Sequence, residues 1–342
     1  MINPPPFQIS PEHTPGWLTP TDTVAWKKQH APDAESIRNQ GAFLLEVEAR
    51  EIKSAADRAR ARITDLETKF VVGMRANPIR VAPRIWSKDK GSAFAVQATN
   101  RALKTESFER LGQLPDLHMP DYIATAMALI QPVRTGGAHL AITSGWSAIE
   151  SLLVGPDDDR DVVAAQRFSL IVATSIPRAE LTTLSNRYAK ANSDALAHEI
   201  LGCPDNLTRA KRFARQLCSG DPITMPNDTD RLAIKRMKPY LSDRQTEVRK
   251  VAGILNKEFV RFYRKRNLIV HAGKTHDNSL HPISETISPL IGAGVDRIIH
   301  VGLKFGVRPI ALAAIISANL DYLQPATATD AGNLLDIMEI AP

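Results

Sequence analysis

One short segment of the chain combines residue types suited to proton transfer and anion binding. Residues 263–275 read YRKRNLIVHAGKT and contain Arg266, Asn267 and His271 within six positions. Arginine binds phosphates and carboxylates in a fixed geometry, and histidine changes its charge near neutral pH. The segment ends a run of helical periodicity, so a helix determines where these three side chains point.

Arg266 falls on the core-facing line of that helix. It comes four residues after the last of a series of apolar residues spaced three or four apart. An unpaired buried charge is very costly, so a guanidinium in this place needs a carboxylate, a phosphate or a subunit interface. The alternative is an arginine whose stem lies on the core while its head reaches water or pairs with an acid such as Glu150. The apolar residues of the line are Val248, Val251, Leu255, Phe259 and Phe262.

His271 points away from Arg266 if the helix is straight. The two residues are five apart, and at about 100° per residue their side chains diverge by about 140°. Either the helix bends near its end, which Gly273 as a C-terminal cap permits, or the site is assembled from two copies of the chain. Asn267 lies four residues before His271 on the same face and can orient the imidazole. The C-terminus of the helix also stabilises the protonated ring.

These residues resemble a known superfamily. Residues 266–271, Arg-Asn-Leu-Ile-Val-His, resemble the R-x4–6-H motif, with a polar residue directly after the arginine, of the HEPN (higher eukaryotes and prokaryotes nucleotide-binding) superfamily. Residues 146–153, WSAIESLL, are similar to the "alE-lL" pattern in the first helix of that fold. Arg167 and Phe168 resemble the landmark in the next helix, and the whole resemblance covers about residues 135–305.

The resemblance implies an all-α, up-and-down bundle that dimerises with its two motifs facing each other. It also implies a metal-independent endoribonuclease that leaves a 2′,3′-cyclic phosphate. His271 would then act as general acid or base on the ribose 2′-OH or the leaving oxygen, Arg266 would stabilise charge on the scissile phosphate, and Asn267 would position the imidazole. Glu150, on an otherwise apolar helix face, is expected to pair with Arg266 or to help place His271.

Other members of the superfamily provide alternatives to this prediction. Some have lost catalysis and only bind RNA, nucleotides or partner proteins, so a non-catalytic binding module is the main alternative to a nuclease. Many nuclease members occur in toxin–antitoxin and anti-phage systems, and some are paired with a nucleotidyltransferase antitoxin. We therefore expect RNA and a second copy of the chain as partners, with an antitoxin or regulatory protein as a further candidate.

Positive charge is concentrated around the motif. The chain has 43 Lys+Arg and 37 Asp+Glu, a surplus of +6, and its pI is about 9.3. Residues 209–274 contain 17 Lys+Arg and 6 Asp+Glu, a surplus of +11, which leaves the rest of the chain at −5. An RNA-binding surface requires such a cluster, although helix surfaces are also basic for solubility. The predicted RNA-binding residues are Arg261, Arg264, Lys265, Lys274, Lys235 and Arg236.

Helical periodicity continues from Pro120 almost to the end of the chain and predicts a mainly α fold. Aromatic residues make up only 6% of the chain, which favours helices over a β-sandwich. Prolines and glycines separate the predicted helices, with Pro177 among the breaks. The helices are expected over 121–132, 136–154, 160–174, 178–198, 207–218, 229–238, 243–272, 284–304 and 308–323.

The first 120 residues follow different patterns. Seven prolines before residue 35 predict an extended arm over 1–34, which Trp17 and Trp26 pin to a neighbouring surface. A heptad-like seam predicts a long amphipathic helix over 35–75, packed on its own domain or self-associating as a coiled coil. An irregular accessory region with one hairpin is expected over 76–134. The HEPN-like bundle follows over 135–305, and a C-terminal helix and tail over 306–342.

Several classes of site are excluded by the sequence. Two cysteines, Cys203 and Cys218, are too few for a disulfide scaffold or a four-ligand zinc site. The end of the motif, HAGKT, lacks the first glycine of a P-loop, and no Gly-x-Ser-x-Gly is present. Without a signal sequence or a run of about 18 apolar residues, the chain is expected to be cytoplasmic with no membrane partner. We expect no cofactor and no metal, because no standard metal spacing is matched by His271, His276, Asp277 and His281.

Overall fold

The computed structural model describes most of the chain and shows a mainly α fold, as predicted. The described residues contain thirteen helices and four short strands. The described residues are 16–32, 41–73, 81, 83–88, 93–96, 101–111, 119–158, 162–275, 277, 279–323 and 333–337.

The elements follow one another with short connections through the second half of the chain. The strands are β1 (Trp17–Leu18), β2 (Ala42–Phe43), β3 (Arg84–Trp86) and β4 (Ala93–Ala95). The first helices are α1 (Pro20–His30), α2 (Ile52–Gly73), α3 (Ser107–Leu111), α4 (Asp121–Thr135), α5 (Ala138–Leu153) and α6 (Val162–Ala191). The remaining helices are α7 (Ala195–Gly202), α8 (Asn206–Ser219), α9 (Asp228–Ser242), α10 (Arg244–Ala272), α11 (Leu280–Phe305), α12 (Pro309–Asp321) and α13 (Asn333–Asp336).

The N-terminal residues form a small unit around Trp17. β1 pairs antiparallel with β2 so that Trp17 lies opposite Phe43, and the two rings meet edge to face with centroids 5.2 Å apart. A β-carbon at Gly41 would lie 2.2 Å from the Trp17 ring, so this packing requires glycine. Trp17 is buried, as expected for a residue that pins the arm, whereas Trp26 stays partly exposed beside His30.

The prediction of an extended arm over 1–34 is wrong for residues 20–30, which form α1. Thr19 caps this helix because its hydroxyl oxygen accepts a hydrogen bond from the amide of Asp22. Pro20 occupies the first helical position, where its missing N–H removes no helical hydrogen bond. The remaining part of the predicted arm, 1–15 and 33–34, lies outside the described residues.

The long helix predicted over 35–75 begins only at Ile52. The preceding chain is not helical from residue 41 to residue 51. Within this segment residues 42–43 pair with β1, and Arg62 of α2 donates to the backbone carbonyl oxygen of Glu46 at 2.7 Å. The spacing of apolar residues along one helix does not reveal either contact. Residues 35–40 and 74–75 lie outside the described part of the chain.

The accessory region contains the predicted hairpin and a buried arginine that ties it to the helices. β3 and β4 pair antiparallel with Ile85 opposite Phe94. Further along, Arg101 donates to two backbone carbonyl oxygens at the end of α4, at 3.0 and 2.8 Å. Its Nε lies 3.0 Å from a carboxylate oxygen of Glu285 on α11. Burial lowers the pKa of Arg101, and the Glu285 charge opposes that shift.

Helices α4 to α12 pack around one continuous apolar core. At its centre Phe168 of α6 meets Phe259 of α10 edge to face, with ring centroids 5.0 Å apart. α11 approaches so closely that a β-carbon at Gly294 would lie 2.3 Å from the Phe168 ring. The core includes side chains of α4 and α12, which lie outside the range 135–305 predicted for the bundle.

The predicted helix boundaries agree with the structure to within four residues from α4 onward, except around Pro177. α6 runs through this proline, and the helix predicted over 178–198 is divided between the end of α6 and α7. A proline inside a helix removes a backbone hydrogen bond and costs about 3 kcal/mol. Ala173 and Leu181 on either side are fully buried, so the packing of both halves of α6 on the core outweighs that cost.

Candidate functional site

The buried line of α10 ends at Arg266. Phe259 and Phe262 ahead of it are fully buried, and Trp146 of α5 packs on Phe262 with ring centroids 6.2 Å apart. Four residues after Trp146, Glu150 faces Arg266, so α5 and α10 run in the same direction here. The two segments that carry the HEPN resemblance therefore lie side by side.

Arg266 forms an ion pair with Glu150. Its Nη2 lies 3.4 Å from Oε2 of Glu150, and the two side chains are only 22% and 19% exposed. Its Nη1 donates to Oδ1 of Asn267 at 3.0 Å, whereas its buried Nε has no hydrogen-bond partner among the described residues. Of the alternatives for Arg266, pairing with Glu150 is the one that the structure contains. The unsatisfied Nε–H leaves the guanidinium one strong donor for a further acceptor.

Asn267 contacts Arg266 and not His271. Its amide oxygen accepts from the guanidinium, and no hydrogen bond between Asn267 and His271 is present among the described residues. The expectation that Asn267 orients the imidazole therefore stays a prediction, and within one chain Asn267 contacts the guanidinium of Arg266.

His271 is exposed in the last turn of α10, on the side of the helix away from Arg266. α10 is continuous through Ala272, so both side chains lie on one unbroken helix and point to different sides of it. Gly273 then ends the helix with φ at 62°, and its N–H donates to the carbonyl oxygen of Ile269 at 3.1 Å. The predicted cap is confirmed. Within one chain, the arginine faces the bundle and the histidine faces outward.

The predicted RNA-binding residues near the motif differ in their surroundings. Arg261, Arg264 and Lys274 are exposed. Lys265 instead pairs with Asp277, Nζ to Oδ2 at 2.7 Å, and this contact ties the loop after α10 back to the helix. Its hydrogen bond is the largest of the causes that lower the pKa of Asp277 to about 2. The carboxylate is therefore charged at all ordinary pH values, and it neutralises Lys265 locally.

Lys235 and Arg236 lie close to the opposite end of α10. They lie near the middle of α9, and a single residue separates the end of α9 from Arg244 at the start of α10. From there to His271 the helix rises about 40 Å. Arg236 also pairs with Glu180 of α6 at 2.9 Å. A single chain does not bring these two predicted residues to the motif.

Two exposed lysines of α10, Lys250 and Lys257, are not among the predicted RNA-binding residues, although they share a helix face with His271. Lys250, Lys257, Arg264 and His271 recur at intervals of seven residues, and all four are exposed. Residues seven apart in a helix lie on nearly the same side. The spacing argument that identifies the buried line of α10 also identifies this exposed one when it is applied to charged residues.

Comparisons with known proteins give no match for this chain. No protein-family model, no curated protein and no solved structure matches it. The functional assignment therefore depends on the residues and contacts of the chain itself.

Two further findings concern metals and membranes. Within the described ranges, no group of three or more His, Cys, Asp or Glu side chains is arranged to hold a metal ion. Of the residues considered for such a site, His281 lies in the first turn of α11 with its Nε2 3.9 Å from Oδ1 of Asp57, and His276 lies outside the described part. No single described helix is long and apolar enough to cross a membrane; α11 and α12 reach that length and composition only as a pair bent by 98°.

Proposed function

We propose that the chain is a HEPN-type, metal-independent endoribonuclease whose site is composed from two copies. The observation that carries the proposal is the Arg266–Glu150 contact, which joins the helix bearing RNLIVH to the helix bearing WSAIESLL inside an all-α bundle. His271 at the exposed end of the same helix supports it, because a reacting group must be reached by substrate. The surplus of +11 over residues 209–274 supports a polyanionic substrate.

A second copy is part of the proposal because Arg266 and His271 face different sides of α10. In the dimer the two motifs face each other, so that Arg266 of one copy and His271 of the other act on the same phosphate. Val270, directly before the histidine, is an apolar side chain that is 52% exposed. It supplies apolar surface for such an interface.

The proposed reaction is an internal transfer at phosphorus. An imidazole of His271 accepts the proton of the ribose 2′-OH, the 2′ oxygen attacks phosphorus, and the bond from phosphorus to the 5′ oxygen breaks. A protonated imidazole returns a proton to the departing 5′ oxygen, which leaves a 2′,3′-cyclic phosphate and a 5′-OH. Arg266 stabilises the charge that builds up on the phosphate oxygens, held in place by Glu150 and Asn267.

Cleavage of single-stranded RNA by purified full-length variants tests this proposal. We expect Arg266→Ala and His271→Ala each to lose at least about 100-fold in rate, because each removes a group that acts on the reacting phosphate. Arg215→Ala and His198→Ala are matched controls, since both residues are exposed and lie on other helices; they should stay within about twofold. Mass spectrometry of the products should show 2′,3′-cyclic phosphate ends. Equal rates for all variants would overturn the assignment.

A second candidate function is non-catalytic binding of RNA, nucleotide or a partner protein. The observation in its favour is that Glu150 already neutralises Arg266 within a single chain. In that case the wild type binds RNA but produces no cyclic phosphate, and His271→Ala binds as the wild type does. In either case an antitoxin or regulatory protein is a proposed partner, with toxin–antitoxin or anti-phage defence as the proposed setting.

A further inference from the structure

The outer face of α10 carries a row of exposed side chains, most of them cationic, that ends at the motif histidine. Successive members are four and three residues apart, and at about 100° per residue they fall within an arc of about 100° on the side opposite the buried line. All of them are exposed. We call them the basic row: Lys250, Ile254, Lys257, Arg261, Arg264, Leu268 and His271.

Little negative charge offsets the basic row. α10 contains two glutamates, and both lie beside the row. Glu247 binds Lys250 at 3.0 Å, whereas Glu258 is 3.7 Å from Arg261, too far for a strong hydrogen bond. In the described part of the chain, Lys257 and Arg264 form no ion pair. Positive charge is therefore free to bind an external anion along the middle of the helix.

The composition of the basic row indicates a polyanion as its occupant rather than a second copy of the chain. Two such rows placed face to face would bring Lys257, Arg261 and Arg264 of both copies together with few acidic partners. Like charges in contact cost free energy. The two apolar members, Ile254 and Leu268, lie fourteen residues apart, or about 21 Å along the helix. They do not form a continuous seam that offsets this repulsion.

From this charge and geometry we infer that the basic row binds RNA as an unpaired strand and leads it to His271. The inference rests on the proposed function and adds the surface of the chain along which the substrate binds. The row is one helix face wide and about 30 Å long from Lys250 to His271. Proteins that bind duplex RNA contact two successive minor grooves and the phosphates between them, which requires cations on a broader surface. A single strand needs only cations along its backbone and side chains that contact its bases.

The apolar members of the basic row fit the same substrate. Ile254 and Leu268 are 54% and 37% exposed, so their apolar surface is accessible to a ligand. Unpaired bases offer apolar faces at intervals along a strand, whereas a duplex hides these faces in its stack. Cations and apolar side chains on one line therefore match an extended strand whose phosphates and bases alternate.

Binding of a 2′-O-methyl RNA strand of about 20 nucleotides to the full chain tests the inference, because this probe has no 2′-OH and cannot be cleaved. The test variant combines Lys257→Gln, Arg261→Gln and Arg264→Gln. The control combines Arg134→Gln, Lys190→Gln and Arg215→Gln, which removes the same charge at exposed positions of α4, α6 and α8.

We expect the test variant to lose at least about 10-fold in affinity and the slope of log Kd against log salt to fall by about 2, since each lost contact to a single strand contributes about 0.7. The control should stay within about twofold. The wild type should bind the same strand at least about 10-fold more tightly than its duplex. Equal affinities for the two triple variants, tighter binding of the duplex, or no binding of either probe would overturn the inference.

Failure of this inference can be distinguished from failure of the proposed function. If Arg266→Ala and His271→Ala cleave like the wild type, the nuclease assignment fails, yet the binding comparison of the two triple variants still decides where a strand binds. If those single variants are inactive and the test variant binds normally, the nuclease assignment stands and the basic row is not its substrate path.

Discussion

At the scale of single residues, Glu150 and Arg266 form the contact on which the site depends. They are 116 positions apart in sequence, and both side chains are largely withdrawn from water. A guanidinium in such a place is stable only while a carboxylate offsets its charge. Glu150 therefore fixes both the packing of α5 on α10 and the position of the group proposed to face the phosphate.

Replacing Glu150 with Gln should lower the free energy of unfolding by about 1–3 kcal/mol, because the variant leaves a largely buried guanidinium without its carboxylate. Urea denaturation measures the change. Glu258→Gln is the matched control, since this glutamate lies 3.7 Å from an exposed arginine on the same helix; its effect should stay within about 0.5 kcal/mol. Similar losses in both variants would contradict the structural role of Glu150.

His300 of α11 has a stability role that depends on pH. Burial lowers its pKa to about 4, and nearby positive charges add to the shift. These charges are Arg297, Arg178, Arg110 and Lys304. Because the ordinary pKa of histidine is about 6.5, the unfolded chain takes up a proton at this residue between pH 7 and 5 while the folded chain does not. The contribution of His300 to the free energy of unfolding is therefore fully present above about pH 6.5 and is lost as the pH falls toward 4.

His300→Gln should remove this pH dependence. Between pH 7 and pH 5 the wild type should lose about 1 kcal/mol more unfolding free energy than the variant, a value reduced for the partial exposure of the ring. Urea unfolding at the two pH values measures it. An equal loss in both proteins would show that His300 takes up its proton in the folded state as well.

At the scale of elements, the end of α10 is set by backbone geometry. Gly273 has a left-handed φ of 62°, whereas Gly253 lies in the middle of the same helix on its exposed face. A β-carbon meets no atom within 4 Å at either position, so the two sites differ in backbone conformation and not in space. The last turn, which carries His271, depends on the first of these glycines.

Gly273→Ala should therefore lower the free energy of unfolding by about 1 kcal/mol, because a side chain is strained at positive φ. Gly253→Ala should raise it by about 0.5–1 kcal/mol, because alanine loses less backbone entropy in a helix. Thermal and urea unfolding of the two variants should give changes of opposite sign. The same sign for both would contradict the proposed cap.

The elements also show which patterns in the sequence were informative. From α4 onward, apolar spacing together with glycine and proline positions located nearly every helix, because each pattern reports local packing and backbone restriction. The helix boundary predicted at Pro177 is wrong because burial of the residues on both sides of this proline stabilises α6. The start of α2 was misplaced because residues 42–43 pair with β1, and apolar spacing does not reveal such a contact.

At the scale of the whole molecule, the proposed site needs two chains, and mixing inactive variants tests this. If Arg266 of one copy works with His271 of the other, Arg266→Ala and His271→Ala chains form mixed dimers that hold one intact site. After subunit exchange, an equal mixture should regain about a quarter of the wild-type cleavage rate. Each variant alone remains inactive and serves as the control. No recovery despite subunit exchange would place both groups of the site in one chain.

The sequence by itself determined the mainly α fold, the buried line of α10, its cap at Gly273 and the divergence of Arg266 and His271. All of these follow from spacing within one helix, where position along the chain sets direction in space. Only the tertiary structure decided that Arg266 pairs with Glu150, that Asn267 accepts a hydrogen bond from the arginine, and that Lys265 forms an ion pair with Asp277. Each of these depends on which charged groups the packed helices and loops bring within a few ångströms, and spacing along one helix does not specify that.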